Sequence, residues 1–124
     1  MLLDKNGKLI KSLDFRGTKI EYLDKLTAKE LFSIMTAAQE LVNMRDKFKA
    51  KELAPKDWSK TVYEPILEAC KDGKKITDES KGHANRLFGV IIKQALIMTP
   101  LLFRQISPDS EWEGITYVRE SLEF

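Results

Sequence analysis

Apolar residues with helical spacing run through most of residues 27–106, and this pattern favours a fold built mainly of helices. The first helix is predicted over residues 27–49. Thr27 and Glu30 fit a capping box, in which the hydroxyl accepts from the third amide and the carboxylate accepts from the cap amide. The apolar residues that follow recur at intervals of three and four, so they share one helical face: Leu31, Ile34, Met35, Ala38, Leu41 and Val42.

A second helical segment is predicted after Pro55, which suits a first helical turn and precedes an apolar stripe running from Trp58 to Cys70. Pro65 lies inside this stripe. Because a proline removes an amide and clashes with the preceding turn, we expect a kink or two short helices. Gly73 is the predicted C-terminal cap.

The third helix is predicted to open at Thr77, whose hydroxyl can cap the first amides. Its apolar stripe is wide, as expected of a central helix contacted on several sides. Thr99-Pro100 is predicted to bend or end it, and residues 101–106 to continue on a new axis.

Strand patterns occur at both ends of the chain. Residues 8–13 and 18–23 alternate around Gly17, which predicts a β-hairpin, and Asn6-Gly7 is a second turn candidate with residues 1–3 as a short extra strand. Residues 115–119 are rich in β-branched and aromatic side chains, which favours a strand paired with the N-terminal hairpin. A short helix through Leu122 is the alternative.

The predicted fold class is therefore α+β, mainly α: a compact bundle of three to four helices with a small antiparallel sheet from the N-terminal hairpin and a C-terminal strand. We expect a single globular domain, with the hairpin in residues 1–25, a helical body in 27–106 and an acidic segment in 107–124. The predicted core comprises Leu31, Ile34, Met35, Ala38, Leu41, Val62, Ile66, Leu87, Phe88, Ile91, Ala95 and Phe103.

Composition restricts the class of protein further. Hydrophobic residues make up 43% of the 124 residues and charged residues 32%, which is typical of a globular chain. A single cysteine and the absence of a signal-like start favour a cytoplasmic protein. The longest apolar stretch, residues 87–103, contains Lys93 and Pro100, so no membrane insertion is expected.

No catalytic, cofactor or metal site is expected. His83 is the only histidine, and its polar neighbours predict a solvated residue in a first helical turn. Cys70 lies at an apolar helical position and is predicted to be core. Glu64 and Glu68 are one turn apart, a spacing common on solvated helices, and the scattered glycines form no phosphate-binding loop. We therefore expect a protein that is not an enzyme.

Two lysine-rich clusters predict a basic surface. Residues 43–51 have a formal charge of +3, from Arg45, Lys47, Lys49 and Lys51 against Asp46. Lys71, Lys74, Lys75 and Lys81 form the second cluster, over residues 71–81. Cations at a helix end also complement the helix dipole. If the two clusters lie side by side, they would suit phosphates, so nucleic acid is the alternative partner.

The acidic C-terminal segment predicts a protein-binding surface. Residues 107–124 hold one Lys or Arg against five Asp or Glu, whereas residues 1–106 hold 20 against 14. Trp112 between Glu111 and Glu113, together with Tyr117, could anchor a partner, although packing of Trp112 on the hairpin is the competing interpretation. The leading hypothesis is a non-enzymatic protein-binding, regulatory or accessory domain acting through a charged and aromatic surface. A homodimer through residues 101–103 is a further option if that segment is exposed.

Overall fold

The structure is a computed structural model that describes residues 1–13, 20–71, 73–106 and 114–120. Within these residues the architecture is α+β, as predicted, but the sheet is larger than a hairpin. The elements are β1 (Leu2–Leu3), β2 (Leu9–Ile10), a 3₁₀ helix (Ile20–Lys25), α1 (Ala28–Asn43), β3 (Lys47–Lys49), α2 (Ala50–Leu53), α3 (Glu64–Lys71), α4 (Asp78–Met98), β4 (Phe103–Ile106) and β5 (Thr116–Arg119).

The described strands form one mixed sheet in the order β2-β1-β4-β5-β3. Only β1 and β4 run parallel; the other neighbours are antiparallel. The predicted turn at Asn6-Gly7 joins β1 to β2. Gly7 has a φ of +85°, and the Asp4 carboxylate accepts from the amides of Asn6 and Lys8, both at 2.9 Å. The short first strand and its turn are thus confirmed.

The hairpin predicted around Gly17 is wrong in its second strand. Residues 14–19, including Gly17, lie outside the described residues, but Ile20–Lys25 forms a 3₁₀ helix instead of a strand. Tyr22, Leu23 and Leu26 pack against the core from this helix and the turn after it. Spacing of about three residues suits a 3₁₀ helix, so the short alternation in the sequence was misleading.

The first helix is shorter than predicted. Its capping box is present, but α1 ends at Asn43, and residues 47–49, predicted as helix, form β3. Phe48 is 2% exposed, and its ring lies 6.1 Å from that of Phe103 and 5.6 Å from that of Tyr117. Burying this aromatic ring in the sheet stabilises the fold more than extending the helix would.

The second helical segment is shorter than predicted: between Pro55 and Lys71 only Glu64–Lys71 is helical, as α3, and the other short helix, α2, precedes Pro55. The kink or division expected at Pro65 is therefore absent. Pro55 lies outside both, contrary to the prediction, and Pro65 lies in the first turn of α3, where its missing amide needs no partner. Gly73 caps α3 as predicted: its φ is +73°, and the Lys74 amide donates to the Lys71 carbonyl at 3.0 Å.

The predicted central helix is confirmed as α4, which opens with a capping box at Thr77 and ends at Thr99-Pro100. The helical continuation predicted for 101–106 is wrong, because Phe103–Ile106 forms β4 in the middle of the sheet. Phe103 is fully buried, so residues 101–103 lack the exposed apolar face on which the homodimer hypothesis depends.

The C-terminal strand is present as β5, and the helical alternative fails for residues 116–119. Its predicted partner is wrong, since β5 pairs with β3 and β4 rather than with the N-terminal hairpin. Most of the predicted core is buried, although Leu31, Met35 and Leu41 are half-buried and Val62 is 39% exposed. Besides Cys70, which was predicted to be buried, the core also contains residues that the predicted core omitted: Leu2, Val42, Phe48, Trp58, Tyr63, Leu67, Ala84, Ile92, Leu96 and Tyr117.

Candidate functional site

An open hollow of about 410 Å³ lies where β3, α2 and the end of β5 meet α4. We call it the basic hollow. Its described lining contains four cations and no acid. The cations are Lys49, Lys51, Arg86 and Lys93, and the remaining lining residues are Leu13, Ala50, Gly89, Val90, Gly114, Ile115 and Tyr117. Positive charge therefore surrounds a largely apolar surface.

Two separate parts of the chain supply these cations. Lys49 ends β3 and is the N-cap of α2, so the change of direction there places Lys49 and Lys51 at the same rim. Arg86 and Lys93 are seven residues apart on α4, a spacing that puts them on one helical face. Between them Gly89 has no side chain, and a Cβ at that position would meet nothing within 4 Å, so the floor is open.

Within the described part of the chain, no ion pair neutralises the four cations of the basic hollow. The ion pairs among these residues involve Lys71, His83, Arg104 and Arg119 instead. Converging like charges in a concave surface focus the potential and raise the local concentration of an anionic ligand. The four cations can therefore bind an anion, whose charge would offset theirs.

The structure divides the first predicted cluster. Arg45 and Lys47 are exposed and do not line the basic hollow, whereas Lys49 and Lys51 do. Sequence reasoning missed Arg86 and Lys93. Their spacing on a helix was a visible signal, but nothing local indicated that this face of α4 would meet β3.

The second predicted cluster lines a different hollow. Lys71, Lys74 and Lys75 border a space of about 220 Å³ beside the start of α4, which shares no lining residue with the basic hollow. Lys71 is also paired with Glu68 at 3.0 Å. Lysines of the two predicted clusters therefore line two separate hollows and do not form one basic patch.

His83 lines the second hollow and is more enclosed than expected. Its side chain is 12% exposed, so the prediction of a solvated residue is wrong. Nε2 lies 3.6 Å from a Glu79 carboxylate oxygen, the ring centroid lies 5.8 Å from that of Tyr22, and Nδ1 is buried with no hydrogen-bond partner among the described residues. Ser80 lines the same hollow, but its hydroxyl donates to the Thr77 carbonyl at 2.9 Å, and among the described residues no hydroxyl or thiol is hydrogen-bonded to the His83 ring.

Cys70 is buried in the core, as predicted. Burial raises the pKa of its thiol to about 11, an effect that Lys25 only partly opposes. Because the thiolate is the reactive form, this environment suppresses nucleophilic reactivity.

We therefore expect Cys70 to react with iodoacetamide roughly 100-fold more slowly in the folded protein than in urea at about pH 8, since a pKa rise of about two units lowers the thiolate fraction by that factor. Mass spectrometry of timed samples measures both rates. Equal rates would show that the thiol is accessible and activated, contrary to its burial.

An open groove of about 680 Å³ lies between α1 and α3 and has lining charges of both signs. Glu64 and Glu68 both line it. A Glu64 oxygen accepts from the Lys60 amide at 3.1 Å, and Glu68 pairs with Lys71. These carboxylates have ordinary local partners, and no group of three or more His, Cys, Asp or Glu in the described chain could hold a metal ion.

Of the four residues predicted to bind a protein, the structure describes only Tyr117. Trp112, Glu111 and Glu113 lie outside the described residues, so their role stays a prediction. Tyr117 is 4% exposed and packs against Phe48, so it presents no free aromatic face to a partner.

Neither a protein-family model nor a curated protein matches the chain, and no solved structure matches it. Among the helices of the described residues, none combines the length and the apolar character that a membrane crossing requires. We therefore infer the function from the chemistry of the basic hollow.

Proposed function

We propose that this chain is a non-enzymatic protein-binding domain that holds an acidic, partly apolar segment of a partner protein in the basic hollow. The observation that carries the proposal is the set of four cations around an aliphatic floor, with no acid among the described lining residues. Interfaces combine an apolar centre with a polar rim, and here the rim has one sign of charge.

The aliphatic floor favours a peptide over a nucleic acid. Leu13, Val90 and Ile115 offer surface suited to aliphatic side chains, and Ile115 is 37% exposed. Base recognition on a single strand uses exposed aromatic planes, and the one ring among the described lining residues, Tyr117, is buried. An acidic segment with alternating apolar residues matches both the rim and the floor.

The test uses a fluorescein-labelled peptide of four Glu-Val repeats and measures its anisotropy with increasing protein. We expect the paired substitutions Lys49→Glu and Arg86→Glu to weaken binding by about tenfold or more, mainly through slower association. Raising the salt from about 50 to about 200 mM should also weaken binding to the unsubstituted protein, because exposed charges are screened.

The matched control is Lys74→Glu with Lys75→Glu. It changes the net charge by the same amount at the other hollow. We expect its affinity for the peptide to stay within about twofold of that of the unsubstituted protein. Equal weakening by both pairs would mean that the peptide senses only net charge, and the proposed site would be wrong.

A nucleic acid is the second candidate, favoured by the four cations of the basic hollow, which form no ion pair with an acid of the described residues. Binding of a short single-stranded oligonucleotide should then fall steeply with salt, since phosphate contacts release counterions. Replacing Lys47, Lys49 and Lys51 by Gln should flatten that dependence. An oligonucleotide that outcompetes the acidic peptide at about 150 mM salt would reverse the order of the two candidates.

A further inference from the structure

We infer that the partner segment binds as an added β-strand along the outer edge of β3, with its acidic side chains facing Lys47 and Lys49. This inference rests on the proposed function and states how the acidic segment is held. Two independent features carry it: the hydrogen-bonding geometry of β3 and the charge along its edge.

The first feature is an open sheet edge. β3 is last in the strand order, and among the described residues no strand pairs with its outer side. Lys47 lies opposite Val118, and the Arg119 amide donates to the Asp46 carbonyl at 2.7 Å. This pattern makes Lys47 and Val118 a non-hydrogen-bonded pair, so the amide and carbonyl of Lys47 point away from β5.

The alternation of an antiparallel ladder extends the argument to the next residues. Phe48 then exchanges its backbone bonds with Tyr117, and the Lys49 amide points outward like that of Lys47. Lys49 is the N-cap of α2, so its carbonyl accepts the first hydrogen bond of that helix and is not free to pair with another strand. Three backbone groups therefore face outward on this edge: the amide and carbonyl of Lys47 and the amide of Lys49.

Space for the side chains of an added strand lies on the sheet face beside this edge. A hollow of about 280 Å³ is lined by Lys47, Phe48, Lys49, Glu52 and Thr116. Lys49 lines both this space and the basic hollow, so the two hollows adjoin at the end of β3. Strand addition supplies main-chain bonds, and alternate side chains supply specificity.

Charge decides which kind of strand fits. Lys47 and Lys49 are two residues apart in a strand, so their side chains lie on one face of the sheet. A second copy of β3 would place lysines opposite lysines, which is unfavourable, and edge lysines are a known protection against such pairing. An acidic strand instead forms ion pairs with Lys47 and Lys49 at alternate positions. Glu52 is the one acid among the described lining residues, so the two lysines outnumber it.

The experiment compares the Glu-Val peptide with an analogue methylated on alternate backbone nitrogens, which keeps the charges and removes the donors. We expect the methylated peptide to bind about fivefold more weakly, because the hydrogen bond that a peptide amide donates to the Lys47 carbonyl is lost. Equal affinity for the two peptides would overturn strand addition while leaving the basic hollow as the site of an acidic ligand. Loss of binding to the unmodified peptide in both double charge variants would instead refute the proposed function.

A pair of protein variants tests the edge itself. Lys47→Pro removes the charge and the outward amide, whereas Lys47→Ala removes only the charge. Proline is tolerated at an edge position whose amide faces solvent, and circular dichroism checks that the variant folds. We expect Lys47→Pro to bind the peptide about fivefold more weakly than Lys47→Ala. Equal binding would show that the Lys47 amide makes no contact with the peptide, and the methylated peptide gives the answer if the proline variant does not fold.

Discussion

Replacing Phe88 with alanine is expected to lower the free energy of unfolding by about 3–5 kcal/mol. Phe88 lies near the middle of α4 and is 1% exposed. Its ring makes edge contacts with Tyr63 at 5.0 Å and Trp58 at 6.2 Å between ring centroids. The substitution removes buried apolar surface and leaves a cavity between α4 and the segment that leads into α3.

Phe32→Ala is the matched control, because it removes the same atoms from a side chain of α1 that is 73% exposed. We expect this variant to change the free energy by at most about 0.5 kcal/mol. Urea unfolding followed by circular dichroism measures both. A loss below about 1 kcal/mol for Phe88→Ala would mean that the ring is not a central part of the core.

The helices that the sequence predicts well are those with local signals at their ends. Thr27 and Thr77 start α1 and α4, Gly73 ends α3, and Thr99-Pro100 ends α4. A cap is made by residues three or four positions apart, so a single stretch of sequence contains all the required chemistry. The same holds for the tight turn at Asn6-Gly7.

The errors lie where distant residues decide the structure. β3 and β4 were predicted as helix, and both are strands with partners far away in sequence: β3 pairs with β5, and β4 pairs with β1 at the start of the chain. Phe48 shows the reason: its burial depends on Phe103 and Tyr117, and neither lies near it in the chain. Strand formation depends on such neighbours more than on intrinsic preference.

Only part of the candidate site could be predicted, because the residues that form it come from distant parts of the chain. Lys49 and Lys51 stand out as cations in the sequence, and Arg86 and Lys93 share a helical face by spacing alone. That the two pairs meet follows from the packing of α2 on α4, which no local pattern encodes. Charge type could thus be predicted, whereas the hollow itself required the tertiary structure.

Stability is expected to fall above about pH 10, with the phenol of Tyr117 responsible for about 3 kcal/mol by about pH 12. Burial raises the pKa of this phenol from 10.0 to about 12. Between these values the unfolded chain loses the proton while the folded chain retains it, so rising pH favours unfolding. Below about pH 10 both states are protonated, and Tyr117 contributes no dependence on pH.

Tyr117→Phe isolates this effect. The variant keeps the ring between β3 and β4 and removes only the titrating hydroxyl. Cys70 and Tyr63, whose pKa values burial also raises, titrate in both proteins, so their contributions cancel in the comparison. Urea unfolding at a series of pH values should give a difference that widens from about pH 10 upward, by about 1.4 kcal/mol for each pH unit. Parallel curves for the two proteins would show that the phenol has the same pKa in the folded and unfolded states. That result would contradict the burial of Tyr117 against Phe48.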